Sequence, residues 1–204
     1  MAARPGTGTA ELMLDRFVPR YDLSLVHSGV FRVPPADCLH AVLSLDLFGS
    51  PLIRTLIEAR GLPWRLEGLL RGRPSSQQPA SSPTFRFSEM PQHGWLLLGE
   101  TPDVEMVLGA VGQPWKPKAG TPSRHVTPET FRDFDEPRFL KIATSIRVDP
   151  YGTASTILTV ETRAVMTDDE SRRRFAPYWR VVGPFSHLIR WRAMRMVRRE
   201  LTRP

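Results

Sequence analysis

Residues 161–200 read ETRAVMTDDESRRRFAPYWRVVGPFSHLIRWRAMRMVRRE, and this stretch decides the fold. Its early part predicts a capping box, in which Thr167 accepts from a helix amide while Glu170 reaches back to the start of the helix. Beyond the box, an advance of about 100° per residue collects apolar side chains on one face of a helix. This face comprises Phe175, Tyr178, Trp179, Val182, Ser186, Ile189, Ala193, Met196 and Val197. The stretch therefore predicts a long amphipathic helix that packs its aromatic face on a sheet.

The opposite face of the same helix carries Arg173, Arg180, Arg195 and Arg198. In a single-strand nucleic-acid site, bases stack on aromatic rings beside the cations that hold the phosphates. Because rings and arginines lie on separate faces here, the pattern argues against nucleic acid as a partner. Trp191 is the exception, since it lies among the arginines and marks a candidate surface for a partner.

The pair Gly183-Pro184 interrupts this helical pattern. Proline removes one helical hydrogen bond and crowds the preceding turn, so we expect a kink near residues 180–183. Two explanations stay open. The helix bends round a curved sheet, or Gly183 leaves room for a ligand against the sheet.

The clearest strands precede the helix, over residues 138–148 and 154–165, and flank a predicted type I turn at Asp149-Pro-Tyr-Gly152. One face of this hairpin is predicted to be buried and the other exposed to water. The buried face carries Leu140, Ile142, Thr144, Ile146, Val148, Thr156, Leu158, Val160 and Ala164. The exposed face carries Lys141, Arg147, Glu161 and Arg163.

The earlier part of the chain predicts further strands and two short helices. Alternating apolar residues over 21–33 predict a first strand with a bulge at Gly29. Helices are predicted from Pro34-Pro35 and over residues 51–60, the second one ending at Gly61. Three short strands are predicted in TFRFSEM (84–90), WLLLGE (95–100) and VEMVLGAVG (104–112). The order of elements predicts an α+β fold, in which a curved antiparallel sheet wraps around a long C-terminal helix and leaves a cavity.

We expect a single domain over residues 17–202 and a disordered N-terminus over residues 1–16. Polar or proline-rich composition predicts mobile loops near residues 71–83 and 113–133. Apolar runs fall far short of the roughly 20 residues that span a bilayer, and the first residues lack the apolar stretch of a signal peptide. The sequence therefore predicts a soluble, cytoplasmic protein and leaves its oligomeric state open.

Charge and cysteine content limit the partners and cofactors. The net charge of +7 permits nucleic acid, an acidic protein or weak contact with an anionic membrane surface, without requiring any of them. A single cysteine, Cys38, excludes an intrachain disulfide and a multi-cysteine zinc site. The histidines have no other metal-ligating residues at the spacing that a metal site requires. The sequence also contains no phosphate-binding loop or nucleophile elbow. We therefore predict neither a metal nor a cofactor.

Three segments together resemble the START-like superfamily, also called SRPBCC or polyketide cyclase-like, whose members have the helix-grip fold. They are VHSGVFRVPPADCLHAVLSLDL (26–47), GQPWKP with FRDFDEPRFLKIATSIRV (112–117 and 131–148), and VETRAVMTDDESRRRFAPYWRVVGPFSHLIR (160–190). The last segment, with its Phe-x-x-Tyr-Trp and Ser-x-x-Ile-Arg motifs, is the most specific, and the likeness covers most of residues 21–200. The resemblance implies a hydrophobic cavity between sheet and long helix that binds a lipid, a polyketide or a similar apolar molecule. It implies no shared catalytic residues.

The candidate ligand site follows from the helix face, the hairpin face and the first strand. It comprises Phe175, Tyr178, Trp179, Val182, Gly183, Ile142, Thr144, Ile146, Leu158, Val160 and His27. Tyr178 and Thr144 are the polar groups expected to orient a ligand in this apolar site. His27 shares the parity of the first strand's apolar residues, and it is either a hydrogen-bonded core histidine, which we favour, or a polar anchor or general base.

Two other functions stay open beside binding. A cyclase or hydratase acting on a polyketide-like substrate needs two polar side chains that converge inside the cavity. His27 or Tyr178 would then donate or accept the proton. A protein that binds anionic surfaces through the arginine face and Trp191 needs an affinity that falls steeply with salt.

Overall fold

The computed structural model of the chain describes residues 12–59, 84–116 and 125–202. The helices are α1 Met13–Phe17, α2 Pro35–Ser44, α3 Pro51–Ala59, α4 Pro128–Phe131 and α5 Asp169–Leu201. The strands are β1 Leu23–Phe31, β2 Leu96–Thr101, β3 Glu105–Gly112, β4 Leu140–Tyr151 and β5 Ser155–Met166. Two short 3₁₀ helices cover Leu47–Gly49 and Phe87–His93. The fold is α+β, as the sequence predicted.

The five strands form one open antiparallel sheet in the order β1-β5-β4-β3-β2. One row of paired residues crosses its middle: Leu25 pairs with Thr162, Thr162 with Thr144, and Thr144 with Leu108. Because residues paired across antiparallel strands project to the same face, these four side chains share one face of the sheet.

The C-terminal helix α5 is continuous over 33 residues and includes Pro177 and Pro184. Its N-cap is Asp168, whose side chain accepts from the amide of Ser171 at 2.7 Å. The predicted capping box of Thr167 and Glu170 is therefore wrong by one residue. The hydroxyl of Thr167 instead bonds to both backbone groups of Phe139, at 3.0 and 3.1 Å, and ties the helix to β4.

Three local predictions about the strands are also wrong. The β4–β5 hairpin extends beyond the predicted turn, because Pro150 pairs with Thr156 and Tyr151 pairs with Ser155. The β1 register is unbroken at Gly29, so the strand has no bulge there. A Cβ on Gly29 would lie 3.0 Å from Met194 Cε, so this glycine lets α5 approach the sheet. Residues 84–90 form no strand, and part of this segment begins the second 3₁₀ helix.

The sheet is covered on both faces, which contradicts the prediction that the hairpin's charged face is exposed to water. Lys141 and Arg163 are only 7% and 5% exposed. Lys141 Nζ donates to the carbonyl of Arg132 at 2.7 Å, while Arg163 pairs with Asp15 and with Glu161. Beneath this face lies an apolar core of Leu14, Val18, Leu98, Val107, Val111, Val126, Phe131 and Ala143.

Helix α1 supplies part of that cover. Residues 12–16, which the sequence assigned to a disordered N-terminus, are ordered, and Leu14 is 1% exposed. Several predicted features lie outside the described residues: residues 1–11 of the N-terminus, Gly61, the predicted loop over 71–83, and residues 117–124 of the second predicted loop. The remainder of that second loop contains α4. Among the described helices, none combines the length and apolar character needed to cross a bilayer.

Candidate functional site

A cavity of about 360 Å³ lies between α5 and the opposite face of the sheet. Its volume falls in the range of pockets that bind small molecules, roughly 300–1,000 Å³. Strands β1, β3, β4 and β5 supply one wall, α5 supplies the facing wall, and α2 with both 3₁₀ helices borders it. The lining is mostly aliphatic and aromatic, and it includes no aspartate or glutamate among the described residues.

The aromatic residues of α5 form the part of the wall nearest the start of the helix. The Phe175 ring stacks on Trp179 with centroids 5.5 Å apart and planes 16° apart, and it lies 5.9 Å from Tyr178. Gly183 follows Trp179 by one helical turn, and a Cβ on Gly183 would lie 3.1 Å from Trp179 Cε2. The space above Gly183 is therefore occupied by the indole ring.

Most of the residues that the sequence grouped as a site meet at this cavity. Those that line it are His27, Ile142, Thr144, Leu158, Val160, Phe175, Tyr178, Trp179 and Val182. Ile146 and Gly183 are not among the lining residues. Ile146 is fully buried in the neighbouring core, where it packs in a cluster with Phe31 and Cys38.

A group of polar side chains crosses the cavity between α5 and the middle of the sheet. The hydroxyls of Thr144 and Thr162 lie 2.8 Å apart. From α5, Arg190 Nη2 donates to Thr162 Oγ1 at 3.0 Å. We refer to Thr144, Thr162 and Arg190 as the polar bridge.

Sequence reasoning missed two members of the polar bridge, Thr162 and Arg190. A usable signal existed for the arginine: Val182, Ser186 and Arg190 follow one another at intervals of four residues, which places them on one helix face. An arginine on the apolar face of an otherwise segregated helix is an exception to the amphipathic pattern. It therefore points to a specific role inside the protein.

Arg190 has no counter-ion in the part of the chain that the structure describes. Burial lowers the pKa of the Arg190 guanidinium, and no carboxylate of the described residues offsets this effect. Other arginines differ in this respect, since Arg163 and Arg147 pair with carboxylates, and these contacts raise the pKa of each guanidinium. Among the described residues, the cavity therefore contains a cation and no anion.

His27 lines the cavity close to this cation. Its Nδ1 is buried and has no hydrogen-bond partner among the described residues. Burial lowers the pKa of His27, and its electrostatic interactions with Arg190 and His187 lower it further, so the imidazole is neutral at neutral pH. The His27 and His187 rings lie 5.9 Å apart. The hydrogen bond expected of a core histidine is therefore not made at Nδ1 within the described chain.

A smaller pocket of about 180 Å³ lies on the other face of the sheet, lined in part by Glu105, Arg147, Asp149 and Glu161. Its charged groups already bind one another or neighbouring residues: Arg147 pairs with Asp149 at 2.7 Å, and Ser145 donates to Glu105 at 2.6 Å. Within the described ranges, no group of three or more histidine, cysteine, aspartate or glutamate side chains is arranged to hold a metal ion. The α5 cavity is therefore the better candidate for a ligand site.

Comparison of the chain with protein-family models, curated proteins and solved structures finds no match.

Proposed function

We propose that this chain is a helix-grip protein of the START-like type that binds a hydrophobic small molecule, such as a lipid or polyketide, and carries or sequesters it in the cytoplasm. The observation that carries the proposal is the cavity of about 360 Å³ between α5 and the sheet. The order of elements also supports it, since a single long C-terminal helix faces one open antiparallel sheet.

The chemistry of the lining favours an apolar ligand. Transfer of apolar surface from water contributes about 25 cal/mol per Å² removed, without any directional requirement. Stacked rings at Phe175 and Trp179, with aliphatic side chains on the facing strands, provide such a surface on both sides of a ligand. A few polar groups among apolar walls are typical of a pocket that orients its ligand.

Native mass spectrometry of the purified protein, before and after organic extraction, tests the proposal. We expect a co-purifying apolar species, or tight rebinding of an added one such as dodecanol, by the wild type. Ala193→Phe should weaken this binding strongly, because Ala193 lines the cavity and a phenyl group would occupy part of the space. Ala176→Phe on the exposed side of the same helix is the matched control and should bind normally. Equal binding by both variants would place the ligand elsewhere.

An enzymatic function is a second candidate, and the state of His27 favours it. A neutral imidazole with a buried nitrogen that has no partner among the described residues is in the unprotonated form that a general base requires. A cyclase or hydratase would use it beside the cation of Arg190. Conversion of a bound polyketide-like substrate by the wild type, lost in His27→Gln while binding is retained, would support catalysis. Binding without turnover in both proteins would support a carrier.

The outer face of α5 supports a third candidate, binding to an anionic surface. Val181, Leu188 and Trp191 are exposed there, and the Arg195 guanidinium lies 4.6 Å from the centre of the Trp191 ring. Co-sedimentation with anionic vesicles should then fall steeply as salt increases and should weaken in Trp191→Ala. Absent binding at low salt would remove this candidate without affecting the cavity.

A further inference from the structure

We propose that the ligand of the α5 cavity is an amphipathic carboxylate, whose anionic head group binds Arg190 at the polar bridge and whose apolar body lies along the rings of α5. This inference rests on the proposed function and names its ligand class.

The charge balance of the cavity is the first argument. Arg190 is partly buried. A charge in this position without a partner is unfavourable, because its desolvation is not offset by attraction to an opposite charge. The lining includes the guanidinium of Arg190, yet it offers no carboxylate within the described residues. A ligand that brings one negative charge corrects this imbalance, whereas a neutral lipid leaves it unchanged.

The hydrogen-bonding capacity of Arg190 is the second argument. A guanidinium carries five N–H donors. The bond to Thr162 Oγ1 is the only hydrogen bond that this side chain makes to the described residues. A carboxylate accepts two parallel N–H bonds from the fork of an arginine. The other members of the bridge add hydroxyls at the same place, because Thr144 and Thr162 lie 2.8 Å apart.

The number of cations favours a carboxylate over a phosphate. A phosphate monoester carries close to two negative charges at neutral pH and three strong acceptor oxygens, so it calls for more than one cationic partner. At this cavity the second basic group, His27, is neutral at neutral pH, because burial and the charge of Arg190 lower its pKa. One guanidinium matches the single charge of a carboxylate.

The position of Arg190 along α5 defines where the rest of the ligand lies. Arg190 follows Trp179 by 11 residues, which corresponds to roughly 16 Å along the helix axis at about 1.5 Å per residue. Val182, Ser186 and Ile189 line the cavity between these positions. A ligand held by its head group at Arg190 can therefore extend its apolar body toward the rings of Phe175 and Trp179.

Matched pairs of acid and alcohol test the inference on the full chain. Dodecanoate and dodecanol share a linear body, while 1-naphthylacetate and 2-(1-naphthyl)ethanol share a fused-ring body. Affinities are measured by isothermal titration calorimetry on delipidated protein, below the aggregation limit of each probe. In at least one of the two pairs, we expect the acid to bind about 10–100-fold more tightly than the alcohol, since hydrogen bonds to charged groups contribute about 1.5–3 kcal/mol.

Variants of α5 assign the preference to Arg190. Arg190→Met should remove most of the advantage of the acid and leave the affinity for the alcohol within about 2-fold, because only the charged contact is lost. Arg192→Met is the control. Arg192 follows Arg190 by two residues on the same helix, and its side chain contacts Ser50 instead. It should keep the preference for the acid. Circular dichroism establishes that both variants fold.

A spectroscopic reading separates a direct contact from a structural effect. A carboxylate bound near His27 adds a negative charge, which raises the pKa of the imidazole, while an alcohol adds only desolvation and lowers it. NMR titration of His27 should therefore show opposite shifts for the two members of a pair, with His40 on α2 as the exposed reference.

The outcomes separate the inference from the function on which it rests. Equal binding of acid and alcohol, or a preference for the acid that survives Arg190→Met, overturns the carboxylate assignment and leaves a hydrophobic carrier. Failure of every probe to bind, together with no co-purifying species, contradicts ligand binding itself. A preference for the acid that disappears in Arg190→Met supports both.

Discussion

Arg190 on the C-terminal helix donates from Nη2 to Oγ1 of Thr162 on β5 across 3.0 Å, inside a cavity whose other walls are largely apolar. The contact joins a full charge to a neutral hydroxyl. It satisfies one donor of the guanidinium and does not neutralise its charge. We therefore expect the charge of Arg190 to destabilise the ligand-free protein and to favour the binding of an anion.

Replacement of Arg190 by methionine should stabilise the ligand-free protein. Methionine fills a similar volume and removes a charge that has no counter-ion among the described residues, while Thr162 keeps its contact with Thr144. Replacing buried ion pairs by apolar groups of similar volume is often neutral or stabilising by about 1–4 kcal/mol, and for the partly buried Arg190 we expect the lower end of this range. For a chain of this size, each kcal/mol raises the melting temperature by roughly 2–4 °C. Differential scanning calorimetry of delipidated protein measures the change.

The matched control for this prediction is Thr162→Val, which removes the hydroxyl and leaves the cation in place. It should destabilise the protein by about 1–3 kcal/mol, because Arg190 then loses its one hydrogen bond to the described chain. A lower melting temperature for Arg190→Met would show instead that the arginine supports the fold, and the charge argument would be wrong.

The sequence predicted α5 and the β4–β5 hairpin well because both have strong periodicity. Rings recur at helical spacing from Phe175, and apolar residues alternate from Leu140, so each element has one face that must be buried. Those two faces meet in the structure, and most of the predicted site residues line the cavity between them. The inward direction of Phe175, which is 6% exposed, is confirmed.

The second covered face of the sheet was missed for a physical reason. Charged residues such as Lys141 and Arg163 are normally exposed unless they are paired. Here the partners come from distant parts of the chain: Asp15, which pairs with Arg163, lies 148 residues away in sequence. The alternating pattern within one hairpin contains no information about such distant partners. It therefore predicted that both side chains are exposed to water.

The stability of the protein should decrease as the pH falls below the ordinary pKa of histidine, in part because of His27. Its pKa is lowered from 6.5 in the folded state, first by burial and then by Arg190 and His187. Above 6.5 both the folded and unfolded forms are neutral. Below it the unfolded form takes up a proton first, so the unfolded state gains stability relative to the folded state.

His27→Gln should therefore flatten the pH dependence of the free energy of unfolding between about pH 7.5 and about pH 5.5. Urea denaturation at each pH measures this slope. His40→Gln is the control, because His40 lies exposed on α2, and it should leave the slope unchanged. A slope that is the same in wild type and His27→Gln would show that the imidazole titrates normally in the folded protein.

Cys38 should be unreactive in the native protein. Its side chain projects from α2 into the core and is fully buried, and burial raises the pKa of the thiol to about 11. Since thiolate is the reactive form, both access and ionisation oppose attack. Ellman's reagent at neutral pH should modify Cys38 only on unfolding in denaturant. In a Cys38→Ala background, His40→Cys should react at once, because position 40 is exposed. Rapid labelling of native wild type would contradict the packing of α2.

Substitution of Gly109 should destabilise the protein much more than the same change at Gly112. Both glycines lie on β3, but their surroundings differ. A Cβ on Gly109 would lie 2.6 Å from Leu98 Cδ1 and 2.9 Å from the Phe131 ring, whereas a Cβ on Gly112 would have no atom of the described residues within 4 Å. Overpacking of a core typically costs about 1–3 kcal/mol, so Gly109→Ala should lower the free energy of unfolding by about that amount. Gly112→Ala should be neutral or slightly stabilising, since alanine is less flexible than glycine in the unfolded chain. Urea denaturation of the two variants beside wild type measures the difference, and equal stabilities would show that the core beneath the charged face of the sheet is loosely packed.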